Sequence, residues 1–230
     1  DYGFSKTLDE AKQKWDEKVI LCDAVQVIRK FRPLVVVSQF SGTPADGHGQ
    51  HQFSGYITPL AVNAANDASQ CKEFGPIWQV KKVYVRHGFR ATGEPKLKIN
   101  TGRYDPLLGR SYFEIAMEAR SQHKSQEQGV LELRGDQLSG LNLVGSDAKE
   151  SGIFDGLDTS VTGEGEHLPI SAEALTEYQS ALTAAELELD IRSPEKIVAH
   201  LVRAYSILQG QAQVMRSETA AMLRGTTGRF

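Results

Sequence analysis

Leu34-Val35-Val36-Val37-Ser38-Gln39-Phe40 is a run of aliphatic, mostly β-branched residues with no polar alternation at its start. That pattern predicts a strand buried on both faces, as in a parallel sheet. Working upstream, Leu8, Ala11, Trp15, Val19, Cys22, Val25 (or Ala24) and Ile28 recur at three- and four-residue steps. They predict one amphipathic helix, with Ser5 as its N-cap, Arg29-Lys30 favourable at its negative pole and Pro33 as its stop. Downstream comes a Gly- and Pro-containing loop over 41–50. A helix over 52–68 follows, with Phe53, Tyr56, Ile57, Leu60, Ala61, Ala64 and Ala65 as its apolar stripe, then a strand over 78–85. Helix, strand, loop, helix, strand is the order of an open α/β sheet.

Beyond Arg90 the pattern predicts a helix over 110–125, weak strands over 130–133 and 141–144, and a loop over 145–165. Helices over 171–189 and 193–216 follow, the second opened by Ser193-Pro194-Glu195. A doubly wound sheet uses five or more strands, and only two strong ones are legible. The expected fold class is therefore α/β: an incomplete Rossmann-like open parallel sheet flanked by helices, with a helical C-terminal extension. Residues 1–126 are expected to be the C-terminal part of a domain and 127–230 its continuation. The first strands are expected in an N-terminal segment ahead of Asp1, which is also where any signal peptide would sit.

Composition narrows the function classes. Of 230 residues, 40% are hydrophobic and 24% charged, and the net charge of −3 provides no basic field for nucleic acid. The longest aliphatic run, Leu34 to Val37, is far short of the roughly 20 residues of a membrane span. Two cysteines, Cys22 and Cys71, are too few for a disulfide framework, and Cys22 reads as a small core residue on its helix stripe.

Asp46-Gly47-His48-Gly49-Gln50-His51-Gln52 stands just past the carboxyl end of the best strand and just before a helix. Open α/β sheets place their ligands there. A helical start would turn His48 and His51 to one face, glycine lets the backbone bend closely round a ligand, and imidazole is a preferred zinc ligand. The same spacing also arises by coincidence on a protein surface.

The stretch from Val27 to Val37, the motif Asp46-Gly47-His48-Gly49-Gln50-His51, and the later segments Gly109-Arg110-Ser111-Tyr112 and Arg120-Ser121-Gln122-His123-Lys124-Ser125-Gln126 together resemble the PIG-L/LmbE family of zinc-dependent de-N-acetylases. The resemblance covers about residues 2–126. It implies a metal-dependent hydrolase that removes an acetyl group from an N-acetylated sugar or glycoconjugate, with Zn2+ as cofactor. His51 would bind the metal, and His48 would stabilise the tetrahedral intermediate or protonate the leaving amine. The family often carries an acidic residue where this chain has Gln50. Its other two zinc ligands and its catalytic aspartate lie in a His-Pro-Asp-Asp-Glu type motif that is absent from these 230 residues, so the isolated chain is expected to be inactive. Asp46, Gln50 and His123 are candidate substrate or supporting residues. Asp46 also reads as a loop-forming Asx residue, and His123 as a helix-end histidine. The expected partners are the sugar substrate and the N-terminal segment, with no nucleic acid and no membrane span; a homo-oligomer is compatible with this reading.

Two alternatives remain. One is a non-catalytic carbohydrate-binding or scaffold domain of the same fold, and the other an amidase acting on a non-sugar amide. Lys81, Lys82, Arg86, Arg90, Lys96, Lys98 and Arg103 form a basic stretch that reads first as a solvated face. Gly163-Glu164-Gly165 lacks the spacing of a dinucleotide loop. Trp15 and Trp78 read as packing residues.

Overall fold

The computed structural model describes residues 3–88, 91–124, 131–146, 150–159 and 170–214. The expectations for Arg90, Ser125, Gln126, Val130, the Gly163-Glu164-Gly165 triplet and the positions after Val214 fall outside these residues. The chain forms two compact units, Asp1–Leu157 and Asp158–Phe230.

The predicted first helix is two. α1 (Leu8–Lys14) starts at Thr7, whose hydroxyl accepts from the Glu10 amide, and α2 (Glu17–Phe31) starts at Asp16, whose carboxylate accepts from the Lys18 and Val19 amides. A carboxylate at N-cap satisfies two of the donors a helix start leaves bare, so Asp16 restarts the helix where apolar spacing alone runs straight through. Ser5, expected as N-cap, is instead buried at 2% exposure. α2 ends where Arg32 turns left-handed ahead of Pro33.

β1 (Val35–Ser38) pairs in parallel with β2 (Lys82–Arg86). β6 (Leu138–Leu143) then runs antiparallel to both β2 and β3 (Leu97–Asn100), giving the order β1-β2-β6-β3. β4 (Tyr104–Asp105) and β5 (Arg110–Ser111) form a separate two-stranded ribbon that leads into α4 (Tyr112–Arg120). The fold is thus mixed α/β with a mixed sheet, not a purely parallel one. β6 lies beyond residue 126 yet sits inside the sheet, which is why the first compact unit extends to Leu157. Residues 131–133, expected as the other weak strand, form none.

Among the described residues β1 is an edge strand, so the expectation of burial on both faces holds only in part. Val36 packs with Val83 and Trp78 onto α2 and α3 (Gly49–Ala65), and Val35 packs toward Tyr84, Leu97 and Leu141 on the opposite face. Val37 remains 48% exposed.

Two features join α2 to the end of α3. Cys22 and Cys71 form a disulfide with Cα atoms 5.5 Å apart, so Cys22 is not a free core thiol. Arg29, 3% exposed, donates to the carbonyls of Ala64, Ala65, Asp67, Gln70 and Cys71 at 2.7–3.1 Å. Its charge serves the negative pole of α3 rather than of its own helix, and satisfies carbonyls that α3 leaves open.

On the other sheet face Lys82 Nζ meets Glu150 Oε1 at 2.5 Å and also donates to the Asp155 carbonyl, while the Tyr84 hydroxyl donates to the other Glu150 oxygen. Burial and then that carboxylate push the Tyr84 phenol up, and the Lys82 ammonium and the Tyr84 hydroxyl hold the Glu150 carboxyl below its ordinary range. Lys82 therefore leaves the expected solvated basic face, whereas Lys98 stays there paired with Glu94.

In the second unit α5 (Ala172–Glu188) and α6 (Val198–Val214) pack around Tyr178, Ala181, Ala204 and Leu208. The Ser171 amide reaches Gln211 Oε1, so the start of one helix meets the end of the other. Ser193-Pro194-Glu195 opens a 3-10 turn that runs into α6.

Candidate functional site

The loop after β1 carries its own clamp. Asp46 accepts from the amides of Ser41, Gly42 and Thr43 and from the Ser41 hydroxyl, using both carboxylate oxygens. Gly47 follows with φ +92°, a left-handed conformation that a side chain would strain. Gly42 in turn lies so close to α3 that a Cβ on Gly55 would stand 2.1 Å from its nitrogen. The clamp and this close approach fix where the chain enters α3.

His48 is the N-cap of α3 and His51 lies in its first turn. Their ring centroids are 3.8 Å apart, so the three-residue spacing does bring both imidazoles together. Phe40 stacks on the far side of His51 at 4.0 Å and 16°, and Phe4 meets His48 edge-on at 5.8 Å. The result is a column of four rings, Phe40, His51, His48 and Phe4, leading from the end of β1 toward solvent.

One contact orients the His51 ring in this column. His51 Nδ1 lies 3.2 Å from the Asp46 carbonyl, which can only accept, so Nδ1 is the donor of this contact and Nε2 faces away from it. A carbonyl behind one ring nitrogen is the usual support of a metal-binding imidazole. His48 Nδ1 is buried without a hydrogen-bond partner among the described residues.

Gln50 has a different task from the one an acid would have. Its Nε2 donates to the Gly3 carbonyl at 2.7 Å, and its Oε1 accepts from the Ser5 hydroxyl at 2.8 Å. The Gly49 amide donates to the Ser5 carbonyl at 2.9 Å. Gln52 accepts from the Leu8 amide and donates to the Gly47 carbonyl. Residues 3–8 thus form a strap across the start of α3. Between strap and loop lies a cleft of about 390 Å³ lined by Lys6, Thr7, Leu8, Asp9, Gly42, Pro44, Gly47 and Gln52.

His123 is exposed just past α4, with Nδ1 3.1 Å from the Arg120 carbonyl. Among the described residues no hydrogen bond or ring contact joins it to His48 or His51, and this is the helix-end arrangement. Sequence spacing missed Phe4, Phe40, Ser5 and Gln52. Phe40 alone carried a usable signal, being aromatic at the carboxyl end of a strand that feeds a ligand loop.

The residues fit a divalent metal in part. His51 Nε2 has no hydrogen bond among the described residues and Nδ1 has the support a ligand would have, whereas the Asp46 carboxylate is turned back into its loop. Among the described residues no three His, Cys, Asp or Glu side chains come together to hold an ion, and no helix is long and apolar enough to cross a membrane. No protein-family model matches the chain, and no curated protein matches it.

Proposed function

We propose that this chain contributes one metal ligand and one polar catalytic group to a zinc-dependent hydrolase that deacetylates an N-acetylated sugar or glycoconjugate. The observation that carries this reading is the pair of imidazoles 3.8 Å apart at the mouth of β1, one of them held by the Asp46 carbonyl with Nε2 unbonded among the described residues. His51 would hold the metal through Nε2, with the remaining ligands supplied by a segment outside this chain. The chemistry that zinc supplies when bound is Lewis-acid activation of water near neutral pH.

The chain's own part is positional. Asp46 fixes the loop, the loop carbonyl orients the His51 ring, and α3 fixes His48 beside it. His48 adds a ring that can hydrogen-bond the developing oxyanion or pass a proton to the leaving amine, in a place where Phe4 and the strap exclude part of the water. The outer edge of β1, unpaired among the described residues and flanked by the half-exposed Val37, fits a larger Rossmann-like sheet continued on that side by the same N-terminal segment. A carbohydrate-binding domain without chemistry is favoured by one observation: the only carboxylate of loop 41–47 is fully engaged with that loop.

Elemental analysis of the intact protein tests the assignment. His51→Ala is expected to abolish zinc retention, and undiminished zinc would reject its ligand role. His48→Ala is expected to keep zinc and lower kcat about 10²–10³-fold, the usual loss on removing an oxyanion donor. An unchanged kcat would remove His48 from the mechanism.

A further inference from the structure

We infer that the strap over residues 3–8, pinned by Gln50, is one wall of the ligand site, and that Phe4 is its specificity-determining residue, stacking on the apolar face of a pyranose ring. The inference deepens the reading above and rests on it for the kind of ligand. It is carried by three independent observations.

Phe4 is 71% exposed, yet its ring stands in ordered edge-to-face contact with His48. A large aromatic ring left in water is costly unless something covers it. Here the ring is at the solvent end of the column that holds both histidines, so whatever covers it also reaches His48.

The strap's placement depends on side chains of the site itself. A single amide, Gln50, donates to Gly3 and accepts from Ser5, on either side of Phe4. Only a group with both a donor and an acceptor can do this; a carboxylate would face the Gly3 carbonyl with no proton to give. Gln50 is thus a positioning residue that acts through Phe4.

The adjacent cleft supplies the polar complement. Lys6 and Thr7 line it from the strap and Asp9 from the first turn of α1, while Gly42, Pro44 and Gly47 line it from the loop. Neither Phe4 nor the histidine rings are in this lining; Phe4 stands two residues before Lys6 and His48 one residue beyond Gly47. One aromatic face beside a short row of hydroxyl, ammonium and carboxylate groups suits a sugar, with its C–H face and its rim of hydroxyls, better than an apolar peptide.

The test is titration of methyl N-acetyl-β-glucosaminide into the 230-residue chain, followed by amide and aromatic NMR shifts. N-methylacetamide serves as the probe that keeps the amide and lacks the ring. The unmodified chain is expected to show saturable shifts at Phe4 and Lys6–Asp9 with the sugar. Phe4→Ala should weaken sugar binding about tenfold or more, as truncation of an aromatic anchor does. It should leave N-methylacetamide binding unchanged, and Phe4→Tyr should restore sugar binding to within about threefold. Gln50→Glu should weaken the sugar as Phe4→Ala does and expose the Gly49 amide to exchange, a loss that Phe4→Ala does not produce. Absence of saturable shifts at the strap, or equal sugar affinity in Phe4→Ala, overturns the inference. Zinc content in His51→Ala is separate: lost zinc with unchanged Phe4→Ala affinity rejects the sugar wall alone, and retained zinc with weakened sugar binding rejects the metal role alone.

Discussion

At the scale of single residues, the charged and polar groups that matter most are those whose partners lie far away in sequence. Arg29 looks from its helix like one more terminal cation, and only the structure shows it holding five carbonyls across 35–42 residues of chain. Asp67, in the turn that Arg29 holds, has a readable pH signature. The Gln70 amide, then the Ser69 hydroxyl and backbone amide, hold its carboxyl at about 2, below the ordinary 3.8. A carboxyl depressed in the folded state stabilises the fold above its ordinary value, and that contribution is lost as pH falls through the folded value. The turn is therefore expected to stay bonded through about pH 4 and to release between about 4 and 2. A 13C titration of the Asp67 carboxyl should give a midpoint near 2, moving up toward 3.8 in Gln70→Ala. A midpoint at 3.8 in the unmodified chain would show that the turn's bonds do not favour the ionised form.

At the scale of elements, periodicity located helices well and their boundaries poorly. The apolar stripe of α3 was legible because burial against α2 and the sheet imposes it. The break at Trp15–Asp16 was not, since Trp15 continues the stripe by packing edge-on against Phe53 while Asp16 caps a new start. Likewise the two histidines were legible from spacing, whereas the strap was not: its bonds to Gln50 and Gln52 span more than 40 residues and leave no local pattern. Gly49 is the place where strap and helix press closest. A Cβ there would stand 2.1 Å from the Thr7 carbonyl oxygen and 2.5 Å from the Ser5 hydroxyl. Helix propensity alone favours alanine by up to about 1 kcal/mol, but backbone cannot yield that far without lifting the strap. Gly49→Ala is expected to lower Tm and to speed exchange of the residue-49 amide, which donates to Ser5. A raised Tm with a protected amide would mean that the strap adapts without loss.

At the scale of the whole molecule, composition and element order sufficed for a mixed α/β fold, but the sheet's directions did not follow from them. An α/β order favours parallel strands, and β6 overrides it by arriving late in the chain and pairing antiparallel on both sides. The disulfide was equally hidden, because two cysteines 49 residues apart look the same whether bonded or free. Its consequence is global to the first unit. In the chain-entropy account, closing a loop of this length stabilises the fold by about 4 kcal/mol. Arg29 acts on the same junction independently of the thiol state, so the reduced chain is expected to remain folded but less stable. Without reductant the folded chain should present no titratable thiol. With reductant its urea midpoint should fall by an amount equivalent to about 4 kcal/mol, and Cys22→Ser/Cys71→Ser should match the reduced protein. A drop below about 1 kcal/mol would mean that the unfolded ensemble already keeps this loop nearly closed, since a cross-link acts there by removing conformations the open chain would otherwise explore.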